Sequence, residues 1–340
     1  MTASFSQTLA RLAGGQRLSR DESHQAILHV TSGQAAEQQI FDFLTHLAWT
    51  DATVEELTGA ADAMRQMSLK IDCGGAEVLD TCGTGGDQRH TFNISTAAAI
   101  IAAGCGVKVV KHGNRSASGR SGSADVLEKL GVHLEPSPEK LKKCLDSANL
   151  CFAFARAHHP AMRHVSNARK LLGKPTIFNV LGPLTNPGGA KLHLVGVFHS
   201  SLTEKLAHVL KELGARRAWV VHSDDGMDEI STIAPTAISE LRDGQVHTWK
   251  LDAATVGVPR ARLADLQISG VDEAATVLME ILNGQPGPKR RIAELNAAAA
   301  VVIAGKASDL QHGLALANQA IDSGRARKTL DDLARLSQTN

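Results

Sequence analysis

The sequence predicts an α/β protein in which a helical N-terminal region precedes alternating strands and helices. Residues 1–70 carry apolar side chains at helical spacing and contain no strand-like run. From residue 77 onward, β-branched runs alternate with helical patterns, which is typical of proteins built on a parallel sheet. The chain has 340 residues, 43% of them hydrophobic, so it can bury a full core without disulfide or metal support.

The N-terminal region is predicted to form several short helices. Ser19 is placed to cap a helix whose first turn contains Asp21 and Glu22. Asp51 precedes TVEELTGAADAMRQM, so we expect it to cap a second helix with early acidic residues. The glycine-containing patch at residues 72–77 then indicates a linker.

The rest of the chain is predicted as strands, helices and one rigid turn. The turn, GPLTNPGG at residues 182–189, is rich in Pro, Gly and Asn. Strands are predicted at 107–113, 151–155, 192–198 and 217–222, and the last two enclose a helix in a β–α–β unit. Helices are predicted at 93–106, 123–132, 137–149, 159–173, 201–214 and near 310–324.

Composition and charge exclude several classes of function. Lys and Arg (36) balance Asp and Glu (35), which gives no overall field for a nucleic acid or an acidic membrane. Eight Phe, three Trp and no Tyr exclude tyrosine chemistry and disfavour base stacking. No apolar stretch reaches the ~20 residues of a membrane span, and the N-terminus lacks a secretory pattern. Five cysteines without a CxxC pair favour free thiols and a cytoplasmic location.

A glycine-rich loop, DTCGTGGD at residues 80–87, is the first candidate binding site. Three glycines in four residues allow a tight turn that exposes backbone N–H groups. Asn93 then opens a predicted helix with Ser95 and Thr96 in its first turn. Since a helix N-terminus offers free N–H donors and partial positive charge, the pattern predicts a phosphate site. A tight structural turn is the alternative for such a loop taken alone.

A second loop, at residues 109–125, places Lys111, His112, Arg115 and Arg120 among small residues after a strand. Cations between small residues suit a loop that folds over an anion, with Lys111 offsetting the ligand's charge. A solvated basic loop is the alternative. Two such loops after successive strands suggest a ligand with more than one phosphate.

An acidic turn follows the strand that ends near His222. Residues 220–229 include four carboxylates at the carboxyl edge of the predicted sheet, where ligands bind in α/β proteins. Mg²⁺ commonly joins carboxylates to substrate phosphates. The sequence therefore predicts a Mg²⁺ site, with Asp224 and Asp225 solvated or outside the metal's direct ligands.

Seven motifs together resemble the anthranilate phosphoribosyltransferase family, in family order, from about residue 8 to residue 335. The motifs are DTCGTGGD, NIST, KHGNRSASGRSGSADVLEKLG, HPAMRHV, TIFNVLGPLTNP, DGMDEIS and the late NAAAA. The resemblance implies a two-domain fold of the nucleoside phosphorylase/phosphoribosyltransferase type. A small all-helical domain would comprise residues 1–72 and about 160–190. A larger α/β domain with a mainly parallel central sheet would comprise residues 73–159 and 191–340.

The resemblance also implies an activity and a set of site residues. A homodimeric, Mg²⁺-dependent enzyme of tryptophan biosynthesis would join anthranilate to the ribose of phosphoribosyl pyrophosphate and release pyrophosphate. Mg²⁺ would be held by Ser95, Asp228 and Glu229, and anthranilate would contact Gly83, His112, Asn114, His159 and Arg169, near Pro183. Phosphoribosyl pyrophosphate would contact Gly83, Gly86, Asp87, Thr91, Asn93, Ile94, Ser95, Thr96, Lys111, His112, Gly113, Asn114, Arg115, Ser116, Ala117, Ser118, Gly119 and Ser123.

The chain departs from the family pattern at Arg156, His158, Lys174-Pro175 and Ser223. Arg156 and His158 fall near the expected path of the aromatic substrate, whereas no departure falls on a residue expected to bind the diphosphate or the metal. Two alternatives remain open at this point: an enzyme like pyrimidine nucleoside phosphorylase, and a non-catalytic relative that binds nucleic acid. The first would place Lys-His-Ser ahead of its glycine loop, and the second would carry excess positive charge.

Overall fold

The computed structural model describes residues 4–116 and 120–338. Its centre is a seven-stranded sheet with strand order β3-β2-β1-β4-β5-β6-β7. The first five strands in this order run parallel, and the last two add an antiparallel edge. The strands are β1 (Leu79–Asp80), β2 (Val109–Gly113), β3 (Leu150–Phe154), β4 (Leu192–Gly196), β5 (Arg217–Ser223), β6 (Thr236–Arg242) and β7 (Gln245–Leu251).

The N-terminal region is helical, as predicted, but one predicted cap is wrong. Ser19 caps its helix by accepting from the Glu22 N–H. The second helix is capped by Thr53, not by Asp51, because Thr53 and Glu56 form a reciprocal capping box that satisfies two backbone donors. The four helices are α1 (Phe5–Ala13), α2 (Arg20–Thr31), α3 (Glu37–His46) and α4 (Val54–Met67).

The helix predicted over 159–173 forms two elements in the structure. A 3₁₀ segment, Pro160–Val165, is followed by the α-helix α9, Ser166–Leu172. Pro160 has no N–H, and the Ser166 hydroxyl bonds to the Arg163 carbonyl, so the first turn tightens. The remaining helices are α5 (Ile94–Gly104), α6 (Ser123–Lys129), α7 (Pro138–Ala148), α8 (Ala155–His158), α9 (Ser166–Leu172), α10 (Phe178–Leu181), α11 (Leu202–Glu212), α12 (Leu263–Leu266), α13 (Val271–Leu282), α14 (Pro288–Ile303), α15 (Leu310–Asp322) and α16 (Arg325–Ser337).

The five parallel strands are buried on both faces, whereas most of β7 at the antiparallel edge is exposed. On β5, Trp219 and Val221 join a core with α5 and α13–α16, while Ala218 and Val220 join a core with the N-terminal helices, α9, α10 and α11. Two-sided burial explains why this strand is a continuous apolar run without alternation. The boundaries proposed for the two domains stay a prediction. Within residues 4–116 and 120–338, no helix combines the length and apolarity needed to cross a bilayer.

Candidate active site

The glycine-rich loop after β1 packs against the end of β4 at the carboxyl edge of the sheet. The Thr84 N–H donates to the Gly196 carbonyl (2.8 Å), and a Cβ on Gly83 would lie 2.9 Å from the same oxygen. A Cβ on Gly196 would lie 1.5 Å from the Asp228 carbonyl oxygen. Gly196 was not predicted as a site residue, although an isolated glycine inside a strand pattern signals close backbone approach.

The loop adopts left-handed backbone at four positions. Gly85 (φ 63°) and Gly86 (φ 89°) are followed by Gln88 and His90, both at φ 58°. A non-glycine residue at positive φ is uncommon and is found most often where function constrains the chain. Within the described residues, the backbone N–H groups of Gly83, Gly86 and Asp87 donate to no acceptor. The predicted anion loop therefore has donors available.

Three carboxylates meet beside this loop. Burial raises the pKa of Asp228 to about 8, helped by the charge of Asp87 and a hydrogen bond with it, while the Gly85 amide opposes the shift. Burial and the charge of Asp228 raise the pKa of Glu229 well above its ordinary value. The Ser95 N–H donates to Glu229 Oε1 (3.0 Å). Crowded, partly desolvated carboxylates of this kind suit a hard divalent cation.

Lys111 lies on β2, within the strand predicted at 107–113, and is buried. Its side chain is 3% exposed, and Nζ donates to Thr81 Oγ1 (3.3 Å) and Ser95 Oγ (3.4 Å). The positive charge of Lys111 lowers the pKa of Glu229 and so opposes the effect of burial. The structure therefore brings a fixed cation to the carboxylates and to the start of α5.

The start of α5 differs from the prediction of free N–H donors. The Ile94 N–H donates to the Phe92 carbonyl (2.7 Å), the Thr96 N–H to the Asn93 carbonyl (3.1 Å), and the Ser95 N–H to Glu229. The Thr96 hydroxyl is buried with no partner among the described residues. The donors left open in this region are therefore hydroxyls and the amides of the glycine loop.

The basic loop is packed closely against α5 and α6. A Cβ on Gly113 would lie 2.2 Å from Ser123 Oγ. Asn93 Nδ2 donates to the Ser121 carbonyl (3.2 Å), and Ser121 Oγ donates back to Asn93 Oδ1 (3.1 Å). Asn114 also belongs to this loop, and its carbonyl accepts from the Ser123 hydroxyl (3.3 Å).

Arg115 is held by protein carboxylates. Its guanidinium pairs with Asp125 (3.0 Å) and Glu128 (2.7 Å), and the Ser116 N–H donates to Asp125 Oδ2 (3.1 Å). Thr91 pairs with Gln267 in an isolated antiparallel bridge at the far end of the glycine loop. The predicted residues Ala117, Ser118 and Gly119 lie outside the described residues.

A buried hydrogen-bond junction that the sequence analysis missed joins the strand ends. Asp80 Oδ1 accepts from the His112 N–H (3.1 Å) and the Cys82 N–H (3.0 Å), and Asp80 Oδ2 accepts from Asn186 Nδ2 (2.7 Å). Asn186 also donates to the Val110 carbonyl (2.7 Å). Burial raises the pKa of Asp80 to about 6 despite these bonds. Asp80, Cys82 and His112 could geometrically hold a metal, but the carboxylate's bonds give it a structural role.

Two neutral imidazoles border the other side of this junction. The rings of His112 and His159 lie 5.1 Å apart, and burial lowers their pKa values to about 3 and about 4. His112 Nδ1 donates to the Gly182 carbonyl (3.0 Å), whereas His112 Nε2 and both ring nitrogens of His159 have no partner among the described residues. The neighbouring His158 donates from Nδ1 to the Leu69 carbonyl (2.7 Å), so this departure from the family pattern anchors the linker after α4.

Arg169 lies on α9, as predicted, and is partly buried. It contacts Asn179 Oδ1 (3.4 Å), and its guanidinium carbon lies 5.7 Å from the centre of the Phe178 ring. Among the described residues no carboxylate pairs with it, and burial lowers its pKa. The segment from Phe178 to Gly182 therefore connects Arg169 to the histidine pair.

The other acidic residues of the turn have structural partners. Asp224 pairs with Lys250 (2.8 Å). Asp225 accepts from the Ser231 hydroxyl (2.6 Å) and the Met227 N–H (2.9 Å), which fixes the turn that presents Asp228.

Comparisons with known proteins cover nearly the whole chain. A family model described as "Glycosyl transferase family, a/b domain" matches residues 75–327, and one described as "Glycosyl transferase family, helical bundle domain" matches residues 6–68. An anthranilate phosphoribosyltransferase from Desulfosudis oleivorans is 47% identical over 99% of both chains. The chain belongs to the anthranilate phosphoribosyltransferase family. A second family member, from Symbiobacterium thermophilum, is 46% identical over 95% of both chains.

Solved structures of the family share the fold. Anthranilate phosphoribosyltransferase from Thermus thermophilus superposes with a TM-score of 0.91 at 36% identity, covering 97% of this chain and 99% of the other. The Saccharomyces cerevisiae family member, in complex with PRPP and Mg, has a TM-score of 0.90 at 28% identity, covering 99% and 98%. The same yeast protein in complex with 4-fluoroanthranilate has a TM-score of 0.88 at 27% identity, covering 99% and 98%. The predicted fold class and family are confirmed.

Proposed function

We propose that this chain transfers the phosphoribosyl group of phosphoribosyl pyrophosphate to the amine of anthranilate. The products are N-(5-phosphoribosyl)anthranilate and pyrophosphate. The observation that carries the proposal is the meeting of Asp87, Asp228 and Glu229 with the buried Lys111 beside a glycine loop with free amides. The family's names and the PRPP and Mg bound in a yeast relative support it.

The donor side of the site is built to stabilise negative charge on the leaving group. Cleavage of the bond from ribose C1 to pyrophosphate leaves positive charge on C1 and negative charge on the diphosphate. We assign the free amides of Gly83, Gly86 and Asp87 and the ammonium of Lys111 to the diphosphate. Because these groups are fixed before the reaction, they favour the transition state, in which that charge grows.

Asp228, Glu229 and the Ser95 hydroxyl fit a magnesium ion. All three are hard oxygen donors, and the two carboxylates repel each other in a partly desolvated site. When bound, Mg²⁺ supplies positive charge to the diphosphate oxygens. The Ser95 N–H and Lys111 hold Glu229 in place from the protein side.

The acceptor side is assigned to Arg169, Asn114, Gly83 and the two neutral histidines. Arg169 is a partly buried guanidinium without a carboxylate partner in the described chain, so it suits the carboxylate of anthranilate. His112 and His159 are uncharged at neutral pH and offer flat walls to an aromatic ring. The amine of anthranilate is a weak neutral nucleophile, and a cation-like C1 suits it without a strong protein base.

The remaining assignments stay proposals. We propose a homodimer in the cytoplasm, with the helical domain comprising residues 1–72 and about 160–190. Residues 165–184 contribute Val165, Ile177 and Leu184 to the core that contains the N-terminal helices, but this core also includes Ala218 and Val220 of the sheet, so it does not separate the two domains.

Product analysis tests the proposed function. The purified chain is incubated with phosphoribosyl pyrophosphate, Mg²⁺ and, in turn, 2-, 3- and 4-aminobenzoate. We expect equimolar pyrophosphate and phosphoribosylated product with 2-aminobenzoate only. Transfer to all three acids would overturn the acceptor assignment, and absence of transfer would overturn the function.

A further inference from the structure

A cavity of about 550 Å³ opens over the antiparallel side of the sheet, along β5, β6 and β7. One wall is the face of β5, β6 and β7 that carries Arg217 and Trp249, and the other is the end of α14 with residues 307–311. Arg217 begins β5 and Ser223 ends it beside the acidic turn, so the arginine end of the cavity lies ~20 Å from that turn at ~3.3 Å per residue. The end at Leu251 lies at the level of Ser223, two strands across the sheet, because Thr236 pairs with both residues. The cavity shares no lining residue with the proposed active site, so it is a separate site.

Strand register assembles the wall from alternating residues. Trp219 on β5 lies opposite Glu240 on β6, and Arg217 and Arg242 each lie two residues from this pair on the same face. The rings of Trp219 and Trp249 meet edge to face, with centres 5.4 Å apart. The cavity thus combines an aromatic wall with two guanidinium groups.

Two buried donors on this wall are unsatisfied. Trp219 is 4% exposed, and its Nε1 has no hydrogen-bond partner among the described residues. Arg217 Nε is also buried without a hydrogen-bond partner among the described residues. Arg217 Nη1, by contrast, donates to the Val302 carbonyl (2.9 Å). Buried polar groups are nearly always paired, so two orphaned donors on one cavity indicate a missing acceptor.

The lining carries two arginines and two carboxylates, so the case for an anion depends on how these groups are paired. Within the described chain Arg217 has no ion-pair partner, and Arg242 pairs only with its exposed neighbour Asp243, at 3.5 Å. Glu240 offsets one of these charges. The other carboxylate, Asp309, is engaged at the start of α15, where it accepts from the His312 N–H (2.9 Å) and the Ser308 hydroxyl (2.8 Å).

We propose that this cavity is a second ligand site that binds a small aromatic carboxylate. The ring lies against the tryptophan pair, and the carboxylate accepts from Arg217, Arg242 and Trp219 Nε1. The volume falls in the range of ordinary small-molecule sites, and a carboxylate satisfies both orphaned donors together.

Titration of the full-length protein with 4-fluorophenylacetate, followed by ¹⁹F NMR, tests the site. We expect saturable binding of the probe to the native protein. Binding should be about tenfold weaker in Arg217→Gln and in Arg242→Gln, because each substitution removes one charge-assisted hydrogen bond. Arg216→Gln is the matched control, because this neighbouring arginine pairs with Glu77 outside the cavity. Arg242 is exposed, so its substitution keeps the test valid if Arg217→Gln fails to fold.

Two further measurements separate this site from the acceptor site. We expect Arg169→Ala to leave binding of the probe unchanged, and the neutral amide 4-fluorophenylacetamide to bind about tenfold more weakly than the acid. Absence of saturable binding to the native protein would overturn the proposal. Equal weakening by Arg216→Gln and Arg242→Gln, or loss of binding in Arg169→Ala alone, would overturn it as well.

Discussion

At the scale of single residues, the site contains charged groups that lower the stability of the folded protein when no ligand is bound. Asp228 and Glu229 are close, partly desolvated carboxylates whose pKa values are raised, and Arg169 is a guanidinium without a carboxylate partner in the described chain. Groups of this kind cluster at functional sites, because the protein arranges them for a ligand rather than for stability.

Neutralising one metal-site carboxylate should separate activity from stability. We expect Asp228→Asn or Glu229→Gln to lower Mg²⁺-dependent turnover by roughly 10²–10³-fold, the scale of losing one electrostatic stabiliser. The free energy of unfolding should not fall, because the substitution removes like-charge repulsion. Asp224→Asn is the control, since Asp224 pairs with Lys250 at the surface. Unchanged turnover of both variants at limiting Mg²⁺ would contradict the metal assignment.

Removing the Arg169 guanidinium should weaken the binding of anthranilate but not that of phosphoribosyl pyrophosphate. We expect Arg169→Ala to raise the KM for anthranilate by about tenfold or more, the effect of losing a charge-assisted contact. The KM for phosphoribosyl pyrophosphate should change little. Lys170→Ala, on the exposed side of the same helix, is the control. Equal increases in both KM values in steady-state titrations would argue against the assigned role.

Buried His193 should make stability depend on pH. Burial, with the charge of Arg65, lowers its pKa to about 3, whereas the unfolded chain protonates it near its ordinary value of 6.5. The unfolded state then binds more protons between these values, so stability falls as pH falls from 6.5 toward 3.

At pH 5, this histidine accounts for about 2 kcal/mol of lost unfolding free energy relative to pH 7.5. Urea unfolding at both pH values measures the loss, and His193→Gln should reduce it by that amount. An equal loss in native protein and variant would show that His193 keeps an ordinary pKa in the fold.

At the scale of elements, the site depends on strand ends that side chains tie together. Asp80 at the end of β1 bonds to β2 through the His112 N–H and to the turn after α10 through Asn186. The motif GPLTNP was predicted as a rigid turn, but the partner of Asn186 is 106 residues away in the chain. Contacts of this range depend on tertiary packing and leave no local signal.

Substitution of Asn186 tests that junction. We expect Asn186→Ala to lower the free energy of unfolding by about 2–3 kcal/mol, because it leaves the buried Asp80 carboxylate short of a hydrogen bond. Lys170→Ala on the exposed surface of α9 should change it by less than about 0.5 kcal/mol. Urea denaturation measures both free energies. A loss below about 0.5 kcal/mol for Asn186→Ala would show that the junction does not stabilise the fold.

Local signals explain which elements were predicted. The apolar runs of β4 and β5 and the cap at Ser19 are local, so they were predicted correctly. The hairpin of β6 and β7 was missed, although Asp243-Gly244 at its turn is a hairpin dipeptide with positive φ at both residues. Thr53, and not Asp51, caps α4, because the Thr53 N–H donates to the Glu56 side chain in a reciprocal capping box.

At the scale of the whole molecule, one sheet with a core on each face brings the glycine loop, the basic loop and the acidic turn to a common edge. The strand–helix alternation and the family motifs were enough to predict this architecture. They did not predict that the Lys111 side chain would be buried or that Glu229 would accept a hydrogen bond from the Ser95 N–H at the start of α5. Both depend on how three loops meet.

A crystal structure of the protein grown with phosphoribosyl pyrophosphate and Mn²⁺ in place of Mg²⁺ would show which side chains hold the metal and the diphosphate. We expect an anomalous density peak at Asp228, Glu229 and Ser95 Oγ, with the diphosphate against the glycine loop and Lys111. A metal peak away from these side chains, or a diphosphate bound elsewhere, would contradict this expectation.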